Sequence, residues 1–347
     1  MAVCRIAAGI VAGVSLFSVS SLVVGEVIAT LPPIFTTKDS AVPKALGIPY
    51  EEVAFPSTDE LMLRGWFFPA QNEPAPAVLY APSTGHDQRS GLSLVPALHA
   101  AGYHVLLFSY RGHGLSDGNR FGFTYGAAES KDVDAAVTFL SETRGIEEIG
   151  VIGHSAGAVA SILSAARNSH IAAVVALAPF NSVHEVWHTS RPPVVPPFLY
   201  DFALWLAGQR KSFKEEEIYP LRLVERIAPR PLLIIHGSQD RRITTLQIQQ
   251  LFAAAGAPKA LWLVEGATHK GIRSPVLDVL MADVIDFLNT ALRLDSGPLV
   301  LRPTSDPRLV RCDVPVKEQA ESNDAPSLRA RWRKLAPVRL QAFTQSY

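Results

Sequence analysis

Between residues 149 and 163 the chain reads IGVIGHSAGAVASIL, and this stretch restricts the fold more than any other. Ile149, Val151 and Ile152 are β-branched and apolar, as a buried strand requires. From Ala156 to Arg167 an Ala-rich run sets Val159, Ile162, Leu163 and Ala166 at helical spacing. Ser155 stands at the junction, with Gly153 and Gly157 two positions to either side. Helix capping by a serine hydroxyl accounts for Ser155 but for neither glycine. A sharp strand-to-helix turn accounts for all three residues. It projects the hydroxyl from the carboxyl edge of a sheet, and strand and helix then pass too closely for side chains larger than glycine.

The flanking sequence supplies that sheet. EEVAFPS and LMLRGWFFPA read as a hairpin around Thr58-Asp59-Glu60. After it, strand-like runs (AVLYAP, YHVLLFSY, IGVIG, AAVVALAP, PLLIIHG, ALWLVEG) alternate with helical ones, ending in the amphipathic VLDVLMADVIDFLNTAL. Such alternation specifies an α/β fold with a mostly parallel sheet and helices on both faces. Two segments break the rhythm. About fifty residues, 181–230, are inserted between one strand and the next, too long for an ordinary connection. Their aromatics Trp187, Phe198, Tyr200, Phe202 and Trp205 suit either an apolar lid or packing onto the domain. Residues 296–347 lack periodicity, carry 9 Lys/Arg against 5 Asp/Glu, and read as a flexible basic Pro/Arg-rich tail.

A serine hydroxyl attacks a carbonyl only when a base takes its proton and an acid orients the base. Asp240 follows PLLIIHG in the loop HGSQD, and His269 follows ALWLVEG in EGATH. The chain order Ser155, Asp240, His269 is the one a G-x-S-x-G turn calls for, and all three fall at carboxyl ends of strands. The rivals fit less well. Asp278 and Asp283 sit on the polar face of the last helix, Glu265 is too near His269, His113 belongs to a turn, His236 ends a strand and His154 lies inside the turn itself. Oxyanion donors are expected from the backbone N–H of Ala156 and from the loop APSTGHD, where Thr84 is preferred to Ser83 and Gly85 makes the turn.

Composition narrows the partners. Lys plus Arg equals Asp plus Glu at 32 each, which gives no reason to expect a nucleic-acid partner. Cys4 and Cys312 lie in opposite terminal segments, so neither a disulfide framework nor a cysteine metal site is read, and the metal expectation is none. Residues 6–25 carry no charge and just reach the ~20 residues of a membrane-spanning helix. They read as a membrane anchor or as a signal peptide with Ser18-Val19-Ser20 as cleavage candidate. The expected organisation is an N-terminal segment 1–30, a linker 31–48, a catalytic domain 49–295 with insertion 181–230, and the tail. The catalytic domain is expected outside the cytoplasm, attached to a membrane or exported.

The stretches GYHVLLFSYRGHGLSDG (102–118), GVIGHSAG (150–157), PLLIIHGSQDRRI (231–243) and EGATHKGI (265–272) together resemble the α/β-hydrolase family, closest to its lipase, esterase and monoacylglycerol-lipase-like serine hydrolases. The resemblance spans roughly residues 50–292. It implies an eight-stranded, mostly parallel sheet with a cap inserted after the sixth strand. It also implies Ser155 as nucleophile, His269 as base, Asp240 as acid, and no cofactor. One departure stands out: Ala81-Pro82-Ser83-Thr84 replaces the His-Gly usual at the end of the third strand. The expected activity is cleavage of a carboxylic ester, lipid-like ester or thioester through an acyl-enzyme. The alternatives are an aminopeptidase on the same fold, with Glu215, Glu216 or Glu217 holding the substrate amine, and an inactive membrane-tethered binding module.

Overall fold

The computed structural model describes residues 17, 19–36, 38–191, 193, 195–292 and 308–314. Its strands are β1 (Glu51–Pro56), β2 (Met62–Phe68), β3 (Ala77–Ala81), β4 (His104–Ser109), β5 (Ile149–His154), β6 (Ile171–Leu177), β7 (Leu232–Gly237), β8 (Lys259–Val264) and β9 (Leu309–Val314). They form one sheet in the order β1-β2-β4-β3-β5-β6-β7-β8-β9. Strands β3 to β8 run parallel, while β1, β2 and β9 pair antiparallel with their neighbours. A parallel strand is covered by helices on both faces and must be apolar throughout. AVLYA, HVLLFS, IGVIGH and LLIIHG are accordingly buried at every position. The edge strand β1 covers the core with one face only, and its burial alternates.

The helices are α1 (19–30), α2 (Val95–Ala100), α3 (Glu129–Thr138), α4 (Ala156–Ala165), α5 (Val183–Thr189), α6 (Pro197–Lys211), α7 (Pro220–Leu223), α8 (Thr245–Ala254) and α9 (Leu277–Leu292). Ten consecutive residues of α4 are buried, so that helix is enclosed. On α9, Leu277, Leu280, Met281, Val284, Phe287, Leu288 and Ala291 repeat at three and four residues and turn one stripe to the core. The cap, α5 to α7, follows the sixth strand. Its aromatics divide by burial. Trp187 and Tyr200 are buried and pack edge-on, with Trp187 also against Tyr125. Phe198, Phe202 and Trp205 face outward on α6.

Two corrections follow. The sheet has nine strands rather than eight. The ninth, LVRCDV, lies within the segment expected to be a flexible tail, where it pairs antiparallel along β8 and Arg311 reaches Asp283 at 2.7 Å. Alternation over six residues is too short to stand out in a Pro/Arg-rich stretch. The rest of 296–347, apart from Arg308, lies outside the described residues. Among the described residues no helix is long and apolar enough to cross a membrane. Much of the uncharged run 6–25, with Ser18, lies outside them, as do Cys4 and Arg5.

The described part of that run is a helix laid on the domain. Val19, Glu26 and Thr30 of α1 are buried, at helical spacing. Glu26 receives hydrogen bonds from Tyr125 Oη (3.0 Å), Arg210 Nη2 (2.8 Å) and Lys211 Nζ, and Lys211 also reaches Thr30 Oγ1 at 3.2 Å. Burial pulls the Lys211 ammonium below its ordinary pKa, and Glu26 opposes that shift. Beyond the helix, Arg120 Nη2 donates to Pro32 O (2.8 Å) and Arg89 pairs with Asp39 (2.8 Å), so Glu26, Pro32 and Asp39 each tie this segment to the domain. Removing one partner of a buried ion pair leaves the other uncompensated, at about 3–5 kcal/mol. Glu26→Ala is therefore expected to lower the melting temperature clearly, and the double variant Glu26→Leu/Lys211→Met to regain most of the loss.

Candidate active site

Strand β5 ends at His154, and α4 begins at Ala156. Ser155 between them has φ 55° and ψ −118°, a conformation that costs a side-chain-bearing residue about 1–3 kcal/mol. Its neighbours hold it there: Ser155 N–H donates to Leu177 O at 2.8 Å, and Val159 N–H to Ser155 O at 3.0 Å. The flanking glycines are required by close approach. A Cβ on Gly153 would lie 2.4 Å from Gly157 O, and one on Gly157 would lie 2.2 Å from Ala81 O and 2.4 Å from Pro82 O. The Ser155 hydroxyl does not cap α4. It lies 3.1 Å from His269 Nε2.

His269 lies in the loop after β8 and Asp240 in the loop after β7. His269 Nδ1 meets Asp240 Oδ2 at 2.6 Å. The other Asp240 oxygen accepts from the backbone N–H groups of Arg242 (2.8 Å) and Ile243 (3.0 Å). Burial alone would raise the pKa of this carboxyl. The hydrogen bond and charge of His269, with the two backbone donors, outweigh burial and hold it below the usual carboxylate range. The two loops are pressed together, since a Cβ on Gly237 would lie 2.3 Å from Ala267 O. Three residues up to 114 positions apart thus form one hydrogen-bonded chain, Ser155–His269–Asp240.

The other candidates are placed as follows. Ala156 is buried in the first turn of α4. Thr84 lies in the loop after β3, whose first carbonyls rest on Gly157. His86 was not among the expected site residues, yet its Nδ1 lies 2.8 Å from Thr84 O and 3.1 Å from Ser83 Oγ and closes this loop. Gly85 lies against the end of α1, where a Cβ would meet Ala29 O at 3.1 Å. His154 Nε2 donates to the backbone carbonyl of His269 at 3.2 Å and so ties the loop of His269 to the turn at Ser155. Asp283 is engaged with Arg311, and His113 is buried with Nδ1 3.0 Å from Arg111 O. Glu215 is half-buried, and Glu216 and Glu217 are exposed on one short turn. A cavity of about 390 Å³ lies elsewhere, beside Arg111, Lys131, Arg210 and Lys211, and none of Ser155, His269 and Asp240 lines it.

Comparison with known proteins bears on the family and the fold. A family model described as serine aminopeptidase, S33, matches residues 74–215. An uncharacterized protein of Mycobacterium tuberculosis is 32% identical over 223 residues, which cover 63% of this chain and 72% of that protein. An α/β-hydrolase domain-containing protein of Arabidopsis thaliana is 27% identical over 229 residues, 62% of this chain and 70% of its own. The chain belongs to the α/β-hydrolase family. The fold of this α/β hydrolase is shared with an esterase of Pyrococcus furiosus, at a TM-score of 0.60 and 24% identity over 75% of this chain and 99% of the esterase.

Two expectations come from the packing of this hydrolase. Gly157→Ala drives a methyl into backbone that cannot yield. It should cost at least the ~1–3 kcal/mol of an overpacked core, whereas Gly25→Ala, with nothing within 4 Å of the added carbon, leaves the melting temperature near wild type. The second concerns acid. Burial lowers the pKa of His236 to about 4 and that of His154 to about 3. In the unfolded chain both protonate near their ordinary ~6.5. The unfolded state therefore binds more protons below pH ~6.5, so stability is full above that value and declines as pH falls towards 4 and then 3. His236 Nδ1 lies 4.0 Å from Asp240 Oδ2, and neither ring nitrogen makes a closer side-chain hydrogen bond among the described residues. His236→Leu should keep its stability at neutral pH and lose less of it between pH ~6.5 and ~4 in denaturant titrations.

Proposed function

We propose that this α/β hydrolase is a serine hydrolase that cleaves carboxylic esters through an acyl-enzyme. The chain Ser155 Oγ–His269 Nε2 (3.1 Å) and His269 Nδ1–Asp240 Oδ2 (2.6 Å) carries the reading. In the first step His269 takes the Ser155 proton as Oγ bonds to the ester carbonyl carbon. Asp240 holds the imidazole in the tautomer that leaves Nε2 free to accept, and its charge favours the imidazolium that forms. Nε2 then returns the proton to the departing alkoxide, leaving the acyl group on Ser155. Water attacks that acyl group by the same route in reverse, with His269 again as base. The backbone N–H of Ala156 and that of Thr84 would face the oxyanion, the first at the start of α4 where the helix dipole favours negative charge.

An extended or lipid-like acyl group suits the outward-facing Phe198, Phe202 and Trp205 of the cap, with Phe202 and Trp205 stacked at 5.5 Å. The exposed Val24 and Ile28 of α1 and the uncharged run 6–25 support a working place at a membrane, and the catalytic domain is proposed to lie outside the cytoplasm. The aminopeptidase alternative draws on the name of the matching family model. It needs a carboxylate in the cap for the substrate's amine, which Glu215 would supply.

The test is fluorophosphonate labelling of the purified protein beside Ser155→Ala, followed by turnover of a graded series of esters and of aminoacyl amides. Labelling should vanish in the variant, and Asp240→Asn should lower kcat by about 10⁴ with binding retained. Unlabelled but folded wild type would favour the binding module. Amide turnover above ester turnover, lost in Glu215→Gln, would favour the peptidase. A flat response to acyl length removes the lipid proposal.

A further inference from the structure

Residues 184–188 of the cap read HEVWH. Cysteine spacing leaves these histidines out of account. On a helix the pattern sets two imidazoles one turn apart on a single face, the arrangement that grips zinc in H-E-x-x-H sites. Here it falls on α5, and the two rings stack with centroids 4.2 Å apart. The neighbouring cap helix α6 brings Asp201 to both. Its Oδ1 lies 2.6 Å from His188 Nε2 and 3.4 Å from His184 Nε2. One ligand atom from each of the three side chains falls within 4.8 Å of the others.

We propose that His184, His188 and Asp201 form a binding site for a single divalent transition-metal ion of the zinc class. This does not depend on the reading of Ser155, which follows β5 and whose partners lie on the loops after β7 and β8. Zinc–nitrogen bonds of ~2.0–2.1 Å put neighbouring ligand atoms of a tetrahedron about 3.3 Å apart. The His184–Asp201 separation already matches. The shorter His188–Asp201 contact is a hydrogen bond that opens by under ~1 Å when a metal replaces its proton. Asp201 is half-exposed and free to make that movement.

An ion pair alone explains the arrangement less well. One imidazole would suffice for Asp201, and two stacked imidazoles repel each other when both are charged. A metal takes both in their neutral form. Two nitrogens and one carboxylate oxygen make a donor set for zinc, nickel, cobalt or copper, and a poor one for calcium or magnesium, which take oxygen ligands. The exposure of His184 and Asp201 leaves a fourth position open to water. Bound there, the ion would tie α5 to α6.

The test is calorimetric titration of the full chain, made without a histidine tag and stripped with chelator, using Zn²⁺ alone near neutral pH. The wild type should take up one ion per chain. His184→Ala and His188→Ala should each weaken binding beyond the ~10–100-fold that changes outside the ligand set cause. Glu185→Gln, which leaves all three ligands in place, should bind as the wild type does. Zinc should also raise the melting temperature of the wild type and not that of either histidine variant. If an alanine variant melts early without metal, the half-exposed His184→Gln takes its place. No zinc uptake by the wild type overturns the proposal, and so does a His184→Ala/His188→Ala double variant that binds with unchanged affinity.

Discussion

The close approach of α4 to the carboxyl ends of β3 and β5 governs the rest of this structure. At Gly157 the helix meets the carbonyl oxygens of Ala81 and Pro82, and at Gly153 the strand meets the carbonyl of Gly157. Only that proximity lets the chain reverse direction within one residue, and Ser155 takes the positive-φ conformation such a reversal demands. The strain is local, while the interactions that hold it are distributed. They comprise a buried parallel sheet, a fully enclosed α4, and the Ser155 N–H bond to Leu177 on the next strand. The Ser155 hydroxyl is thus positioned by packing of the core.

His269 and Asp240 depend on the same sheet by another route. Strands β7 and β8 run side by side, so the loops that follow them leave the sheet together and bring Asp240 within 2.6 Å of His269. Two further contacts keep the three loops in register: Gly237 against Ala267, and His154 bonded to the His269 carbonyl. His154 stays neutral because it is buried, and it links the turn at Ser155 to the loop of His269.

The N-terminal segment has a part in this that its apolar character conceals. Through Glu26 the helix α1 is anchored to Lys211 and Arg210 of the cap and to Tyr125 of the domain, and its last turn rests on Gly85 in the loop after β3. One short segment therefore joins cap, domain and the loop proposed to bind the oxyanion. That loop is where Ala81-Pro82-Ser83-Thr84 departs from the family's usual His-Gly. His86 and the end of α1 hold it from both sides.

Much of this was legible in residue order. Apolar runs with helices between them specify a parallel sheet, because a strand covered on both faces has no polar positions. Glycines on either side of a serine at a strand–helix junction specify the turn, because backbone approach excludes a Cβ. Asp240 and His269 could be picked out because sheet topology gathers the ends of successive strands. Tertiary structure decided the rest. It showed β9 inside an aperiodic tail, since pairing along an edge requires only six residues. It placed a charged residue, Glu26, in a buried position, since burial of a charge depends on partners some hundred and more positions away. It also brought Asp201 to the two histidines of α5, a meeting set by helix packing, which local patterning does not encode.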